Sequence, residues 1–463
     1  MEKSIRETFE GKKVAVVGFG REGSANVDFL LAQGARVEVF DDKDEGVWEK
    51  DVISGLEDKG VMFHFGGLAP FTGFDMVVRT PGIRPDRQEL ADALKAGIPV
   101  TSATKIFFEF SPAPIVGVTG TKGKGTCASL IYEMLKKSGM QAFLGGNIGT
   151  PALSFLPELT EESVVVLELS SFQLMDLDQS PHIGVVLMVT SEHMDYHLSE
   201  EEYAEAKVSI VRFQTKKDYA IVSADYENSK KIGDQAGGKK YFISRRREVS
   251  PGCFISEGAI NVKDGGEEEH IADVSDVRLP GAHNLENVCA AVMAARLLGV
   301  APRAIVEALR AFTGLPHRLE LVRAVRGVKY YNDSFATTPE AAIVATSAFS
   351  EPKTLILGGS EKGADFTGLA RTIANDESIV AIVGIGAEWP RIKDMIIEEA
   401  VAGDSAPPAF IDGIETMKDA VIEASGVASE GDVVLLSPAC ASFGMFRDYK
   451  DRGEQFREAV MRL

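Results

Sequence analysis

PIVGVTGTKGKGTCASLIYEMLKKSG, residues 114–139, decides the fold class. A β-branched run leads into Gly120-Thr121-Lys122-Gly123-Lys124-Gly125-Thr126, and an amphipathic helical run follows. Strand, glycine loop and helix in that order are the context a phosphate-binding loop needs. Glycines let backbone N–H groups wrap an anionic chain, and the helix N-terminus adds the positive end of its dipole. Lys124 then reaches the outer phosphates, so these seven residues are expected to bind a nucleoside triphosphate. The plain alternative, a glycine-rich βα turn, leaves that lysine unexplained. A serine or threonine whose hydroxyl meets Mg²⁺ usually follows the lysine; here Gly125 does, so Thr126 or a water takes that role.

Working outward, short apolar runs alternate with longer amphipathic ones, the pattern of parallel α/β sheets. Before the loop, strands are expected at 13–19, 36–41, 75–80 and 97–100; after it, at 164–170, 183–190 and 219–224. A polar stretch at about 228–275 reads as surface hairpins or loops, and residues 283–299 as a long, largely buried helix. Further strands are expected at 328–333, 354–359, 380–386 and 432–439. No solenoid repeat or low-complexity tract interrupts them. The expected architecture is three α/β domains in series at 1–102, 103–314 and 315–463. The first and last are Rossmann-like, and the phosphate loop lies in the central one.

Composition narrows the function. A chain of 463 residues is too long for one core. Its net charge of −20 argues against nucleic-acid or anionic-membrane partners, which demand excess Lys and Arg. The opening MEKSIRETFEGKK carries no secretory pattern, and no apolar run of spanning length follows. The four cysteines, Cys127, Cys253, Cys289 and Cys440, are widely spaced and form no CxxC pair. They suit a reducing compartment. A cytoplasmic, monomeric protein is expected.

A second glycine motif, Gly18-Phe19-Gly20-Arg21-Glu22-Gly23, follows the first strand, and Asp41 ends the next one. In isolation this is a dinucleotide fingerprint and the basis of a rival reading, an NAD-dependent enzyme. Backbone amides see only phosphates, however, so any nucleoside diphosphate suits the loop equally, and a dehydrogenase leaves the phosphate loop without a purpose.

The loop in the form TGTKGKGT, with GGNIGTPAL (145–153), LELSSFQL (167–174), TSEHMDYH (190–197) and EAKVSI (205–210), resembles the Mur ligase superfamily. So do GAHNLENVCAA (281–291), TGLPHRLE (313–320), NDSFATTPEA (332–341), GGSEKGADF (358–366) and LSPACASFGMF (436–446). Ordered motifs over nearly the whole chain are far more specific than any one of them. Within the superfamily the likeness is greatest to the ligases that add glutamate to UDP-N-acetylmuramoyl-L-alanine. The resemblance implies an ATP-dependent ligase that makes a carboxylate electrophilic as an acyl phosphate, in cytoplasmic peptidoglycan precursor synthesis. Its expected small-molecule partners are UDP-N-acetylmuramoyl-L-alanine, glutamate and ATP.

Site residues follow from the matching positions. Glu168, His193, Thr126 and Lys207 as a carbamate are the implied ligands of Mg²⁺, with two ions expected. A carboxylate in the apolar run VVVLELS is costly to bury unless paired, which supports that role for Glu168. CO₂ adds to a neutral amine, so burial favours carbamylation of Lys207, expected within the AEAKVSI helix. Asn284, Asn287, Arg318 and Asp333 complete the ATP side, with Arg318 reaching the γ-phosphate. Gly20, Arg21, Asp41, Thr80, Pro81 and Gly82 hold the uridine diphosphate; Asn147, Ser170 and Gln173 hold the sugar. Thr337, Lys362, Ser442, Phe443 and Tyr449 take the incoming glutamate.

The chain departs from the family in two places besides Gly125. Asp-Ser-Lys-Ala-Thr-Asn is usual, but Asp333-Ser334-Phe335-Ala336-Thr337-Thr338 stands here, and Met188 replaces an expected Asn. A cation and an amide near the phosphates and the glutamate are missing. D-Glutamate is the expected substrate, with L-glutamate the alternative because one branch of the family uses it. A folylpolyglutamate-type ligase shares the GKG loop but lacks the N-terminal domain. A nucleotide-binding regulator without activity would not need the metal set.

Overall fold

The computed structural model describes residues 4–48, 50–190, 196–360 and 363–463. The Val- and Ile-rich runs form strands buried on both faces, as parallel strands between helical layers must be. A first sheet contains β1 (Lys13–Val17), β2 (Arg36–Asp41), β3 (Met62–Phe65), β4 (Met76–Arg79) and β5 (Val100–Ser102). Its order is β3-β2-β1-β4-β5 and every pairing is parallel.

The second sheet contains β6 (Ile115–Thr119), β7 (Ala142–Gly146), β8 (Val164–Glu168), β9 (Ile183–Val186), β10 (Tyr219–Ser223) and β11 (Lys239–Ser244). It continues through β12 (Gly252–Ser256), β13 (Ala259–Asp264) and β14 (Glu267–Asp273), in the order β14-β13-β12-β11-β10-β9-β6-β8-β7. The third contains β15 (Glu320–Val325), β16 (Val328–Asn332), β17 (Lys353–Gly358), β18 (Ile379–Ile385), β19 (Ala409–Ile414) and β20 (Val433–Leu436). Its order is β15-β16-β20-β17-β18-β19, with only β15 antiparallel.

Three α/β domains are therefore present, with corrections in detail. The polar stretch at 228–275 does hold hairpins, but they are not separate surface features: the stretch extends the central sheet by four strands. Two hairpins end that sheet. Their turns, at Glu257-Gly258 and Gly265-Gly266, place both central residues in the left-handed region, as tight hairpins between twisted strands require. The strand expected at 97–100 lies at Val100–Ser102. β3, β15 and β19 escape a search for apolar runs because they are edge strands with half-exposed residues. The helix expected at 283–299 is Asn284–Leu297, and its Val288–Ala295 segment is buried throughout.

By contacts, the chain divides into one unit of 1–276 with 285–309, and a second of 277–284 with 310–463. In the first unit one hydrophobic cluster runs through both sheets' layers, from Phe9 and Phe29 through Phe107 to Phe155 and Val165. Charges also join its two domains. Arg79, at the end of β4, has a side chain 1% exposed and pairs with Asp176, its Nε donating to Oδ2 at 3.1 Å. Arg84 donates to Glu202 at 2.9 Å nearer the surface. Among the described residues no helix is long and apolar enough to cross a membrane.

Burial predicts unequal costs for the two pairs. Asp176→Ala strands the Arg79 guanidinium away from water and should destabilise the first unit by roughly 3 kcal/mol. Glu202→Ala leaves Arg84 with Asp86 and water and should cost about 1 kcal/mol or less. Urea unfolding of both variants checks this; equal losses would mean that burial of Arg79 is not the cause.

Candidate active site

β6 sits inside the central sheet with β9 and β8 on either side, so its carboxyl end opens between two neighbours. There the chain turns through Gly120 (φ +152°) and Gly123 (φ +87°) into the helix Lys124–Lys137. A Cβ on Gly120 would lie 2.9 Å from Cβ of Leu187, and one on Gly123 would lie 2.2 Å from Oδ1 of Asn287. Both glycines are therefore required by packing as well as by φ. Thr121 N–H donates to the Met188 carbonyl at 2.6 Å, and its hydroxyl donates to the Thr190 carbonyl at 3.2 Å. The backbone of Met188 thus anchors the loop, whatever its side chain contributes. Lys124 Nζ bonds the loop carbonyls of Gly120 and Thr121 at 3.1 and 3.0 Å. Lys122 is exposed, while Gly125 is buried and Thr126 half-buried in the first helical turn.

Glu168 ends β8, in register with Val118 of β6, and is 3% exposed. Asn147 wraps it: the Asn147 N–H donates to the Glu168 carbonyl at 2.9 Å, and Nδ2 donates to Oε1 at 3.3 Å. Oε2 is buried without a hydrogen-bond partner. A carboxylate oxygen so placed is costly unless a cation meets it, and it is the hard donor Mg²⁺ prefers. That unpartnered oxygen fits the expected ion.

Lys207 is 1% exposed, far from the solvated helix lysine its surroundings in sequence suggest. The structure corrects its setting: the helix Glu200–Glu205 stops, Ala206–Val208 form a turn, and a second helix begins at Ser209. Its Nζ lies 4.3 Å above the Tyr203 ring, whose hydroxyl is 3.1 Å from that of Thr121. Tyr203, which sequence reasoning missed, therefore links Lys207 to the phosphate loop. His193 and Lys362 lie outside the described residues. Among those described, no three His, Cys, Asp or Glu side chains gather as a metal site.

In the first sheet, Gly18 (φ +89°) and Gly23 are forced. Their Cβ atoms would meet Thr80 Oγ1 at 2.1 Å and the Gly18 carbonyl at 2.3 Å. Gly20 differs: nothing lies within 4 Å of its added Cβ, so the loop faces open space there. Arg21 is exposed at the first turn of the helix it opens. Asp41 spends both oxygens on backbone, accepting from Phe19 N–H at 2.6 Å and Lys43 N–H at 2.9 Å, and so shapes the same loop. Thr80 bonds the Val17 carbonyl, and Pro81 accepts from Tyr196; Gly82 follows in the same turn. Ser170 and Gln173 form a reciprocal capping box on the short helix Ser171–Leu174. Glu22, beside Gln173, is pushed up to about 7 by burial, against the pull of that amide and of Arg21 and Arg79. Asn26, one turn on and 1% exposed, has neither side-chain polar atom bonded.

In the second unit, Asp333 follows β16 and is 7% exposed. It accepts from Leu319 N–H at 3.1 Å and from the Ser437 hydroxyl at 2.9 Å. Burial raises its carboxyl to about 7 although Arg318 and Arg452 draw it down. Arg318 packs on Phe335, Ser442 is buried, Thr337 is half-buried and Phe443 is 59% exposed. Tyr449 opens the helix Tyr449–Met461. Arg452, fully buried and unforeseen, bonds the Ser334 hydroxyl, the Ser334 carbonyl and the Cys440 carbonyl. It ties the segment bearing Asp333 to the one bearing Ser442. Asn284 donates to the Pro280 carbonyl and belongs to this unit by contacts, whereas Asn287 packs on Gly123 in the first.

Of the residues missed, Arg79 carried a usable signal, a charge inside the apolar run DMVVRT, the same one that marks Glu168. Arg452 carried none, because its partner Ser334 is 118 positions away.

Three family profiles match the chain. The MurD-like N-terminal domain of Mur ligases covers residues 12–102, the Mur ligase middle domain 118–295, and the glutamate ligase domain 317–440. Two relatives, from Acetivibrio thermocellus and Koribacter versatilis, are each named UDP-N-acetylmuramoylalanine–D-glutamate ligase. The first is 38% identical over 459 residues, 98% of this chain and 97% of its own; the second is 40% identical over 456 residues, 98% of each. Among solved structures, MurF from Acinetobacter baumannii matches with a TM-score of 0.58 at 16% identity, over 98% of this chain and 93% of that one. UDP-N-acetylmuramate-alanine ligase MurC from Thermotoga maritima matches at 0.56 and 18%, over 97% and 99%. At those identities the likeness is one of fold.

Asp333 supplies a test of the second unit. Its carboxyl is raised from 3.8 to about 7, so the folded chain holds a proton that the unfolded chain has lost. The resulting stability is complete below the unfolded value and is lost as pH rises toward 7. Asp333→Asn keeps the shape and does not ionise. Its stability relative to the parent should therefore rise between pH 4 and 7, by on the order of a few kcal/mol. Urea melts at several pH values measure the difference, and a constant offset would contradict the buried-acid account.

Proposed function

Because the chain belongs to the Mur ligase family, and so is an ATP-dependent amide-bond-forming ligase of peptidoglycan synthesis, we propose that it attaches D-glutamate to UDP-N-acetylmuramoyl-L-alanine. The observation that carries the reading in this structure is the buried Glu168 with an unpartnered oxygen, at the carboxyl end of a strand beside the phosphate loop. It supports a cation next to the ATP phosphates, and the names of the two full-length relatives support the choice of substrates.

The residues divide the work as follows. Segments 1–102, 103–314 and 315–463 serve the UDP-substrate, ATP and glutamate respectively. Backbone N–H groups of Gly120–Thr126 hold the phosphate chain, and Lys124 exchanges its loop carbonyls for outer phosphate oxygens. Glu168, Thr126, His193 and Lys207 as its carbamate hold Mg²⁺, which when bound neutralises phosphate charge. Asn284, Asn287 and Asp333 hold the nucleoside, and Arg318 meets the γ-phosphate. Gly20, Arg21, Asp41 and the Thr80–Gly82 turn take the uridine diphosphate, with Asn147, Ser170 and Gln173 at the sugar.

The alanyl carboxylate attacks the γ-phosphorus and ADP leaves. The amine of glutamate, held by Thr337, Lys362, Ser442, Phe443 and Tyr449, then attacks the acyl carbon. The C–N bond forms, inorganic phosphate departs, and the nitrogen gives up a proton. Exclusion of water matters because water would hydrolyse the acyl phosphate. The four cysteines are free and buried, which suits the cytoplasm, and a monomer suffices for this chemistry.

The direct test incubates the protein with ATP, Mg²⁺, UDP-N-acetylmuramoyl-L-alanine and each glutamate enantiomer. Inverting the α-carbon misplaces the attacking amine, so D-glutamate should exceed L-glutamate in kcat/KM by at least about a hundredfold. A preference for L-glutamate would leave the ligase standing and overturn the stereochemistry. Equal rates would remove the proposed pocket.

Lys207→Ala should lose at least about a hundredfold in rate, because an oxygen anion is taken from a phosphoryl-transfer site. Added formate or acetate should restore part of it by occupying the vacated space. A variant as fast as the parent at saturating Mg²⁺ would make Lys207 a packing residue only.

A further inference from the structure

Glu22 puts an acid inside a loop suited to an anion. It is the second residue of the helix Arg21–Ala32, within the glycine motif whose Gly20 faces open space. An acidic side chain in a first helical turn is ordinarily favourable. Where the same turn receives a phosphate, an ionised carboxylate competes with it for the backbone N–H groups and the helix dipole. The Glu22 side chain lines a small cavity together with Asn26, Thr104, Leu153, Leu169 and Gln173. At about 10 Å³ that cavity has room for no more than one water, so a diphosphate stays outside it.

Two features of the cavity favour a neutral acid. Asn26 lies four residues after Glu22, on the same helix face. It is 1% exposed, and neither its Nδ2 nor its Oδ1 has a hydrogen-bond partner. An ionised carboxylate only accepts and leaves Oδ1 unanswered, whereas a protonated carboxyl carries an O–H able to donate to it.

The second feature is the scarcity of charge. Among the described residues lining the cavity, Glu22 alone is titratable. Burial pushes it up to about 7; the Gln173 amide, Arg21 on its own helix and Arg79 from β4 draw it down. Arg79 is itself answered by Asp176. The carboxylates on adjoining segments are bonded elsewhere, Asp41 to the N–H groups of Phe19 and Lys43, and Glu168 to Asn147. Gln173 also ties Glu22 to the sugar side of the proposed site. Its Oε1 accepts from the Ser170 N–H at 3.0 Å and the Ser170 hydroxyl at 3.2 Å, so the amide that meets Glu22 is fixed by the capping box.

We propose that Glu22 serves the UDP-substrate site as a neutral carboxylic acid, so that the diphosphate binds together with one proton taken up by the Glu22 carboxyl. The inference rests on the reading of the loop around Gly20 and Arg21 as the seat of that diphosphate. The carboxylate gains its proton from the buffer, and no other covalent bond forms or breaks. The anion then meets a loop from which the one opposing charge has been removed.

Calorimetric titration of the whole protein with UDP-N-acetylmuramoyl-L-alanine, without ATP, measures the linkage. The diphosphate of that molecule is esterified at both ends and does not titrate near neutrality. Tris and HEPES differ in ionisation enthalpy, so titrations in both at about pH 8, where free Glu22 is mostly ionised, should reveal uptake approaching one proton per substrate bound. The Kd should rise on the order of tenfold between about pH 7 and about pH 9. Glu22→Gln keeps the shape and does not titrate; its uptake should vanish and its Kd should change by less than about twofold over that range. A parent that takes up no proton, or a variant that takes up as much as the parent, overturns the inference and leaves the site standing. Absence of binding by both proteins at every pH removes the UDP reading and the inference with it. Glu22→Ala, equally unable to titrate, replaces the Gln variant if thermal melts show the latter unfolded.

Discussion

A parallel strand leaves its sheet at its carboxyl end, and in all three sheets an interior strand leaves through a glycine that packing forbids replacing. β1 leaves through Gly18, where a Cβ would lie 2.1 Å from Thr80 Oγ1. β6 leaves through Gly120, against Leu187, and β17 ends at Gly358, where a Cβ would lie 2.1 Å from the Ile385 carbonyl. All three adopt positive φ. Neighbouring strands crowd each exit so closely that only a bare backbone fits, and that backbone is what an anion can approach. The chain handles nucleotide phosphates and carboxylates, and its sheets present the same constraint to each.

Charge withdrawn from water organises what surrounds those exits. Glu168, Arg79, Lys207, Asp333 and Arg452 are each buried, and each is costly there unless something answers it. The answers differ in kind. Arg79 is met by a carboxylate from the neighbouring domain and so fastens two sheets into one unit. Arg452 is met by a hydroxyl and two carbonyls, a neutral cradle that joins two loops. Asp333 is met by an N–H and a hydroxyl, and burial pushes its carboxyl up to about 7. Glu168 alone of the five keeps a buried oxygen with no hydrogen-bond partner. Three of these charges are answered within the fold, whereas the open oxygen of Glu168 is the one that the proposed cation would answer.

The departures from the family pattern acquire physical content against this background. Met188 leaves the phosphate loop anchored because the anchor is its carbonyl. Gly125 is buried in the first helical turn, with Thr126 beside it. Phe335 replaces a cation with a surface on which another cation rests.

The sequence by itself determined the class of the fold and the position of the phosphate loop. Both depend on local pattern: apolar runs of strand length, glycines at strand ends, and Lys124 in the first turn of a helix. Edge strands such as β3 and β19 were illegible for the same reason, since half-exposed strands carry no continuous apolar run. The charged run Glu267–His270 was legible as a polar hairpin but not as the edge of a nine-stranded sheet. Only the tertiary structure decided which charges are answered and by what. Tyr203 reaches Thr121 across 82 positions, Arg79 reaches Asp176 across 97, and Arg452 reaches Ser334 across 118. No periodicity encodes such pairs. They exist because burying a charge or a hydroxyl costs free energy until a partner from elsewhere in the chain is brought within hydrogen-bonding distance.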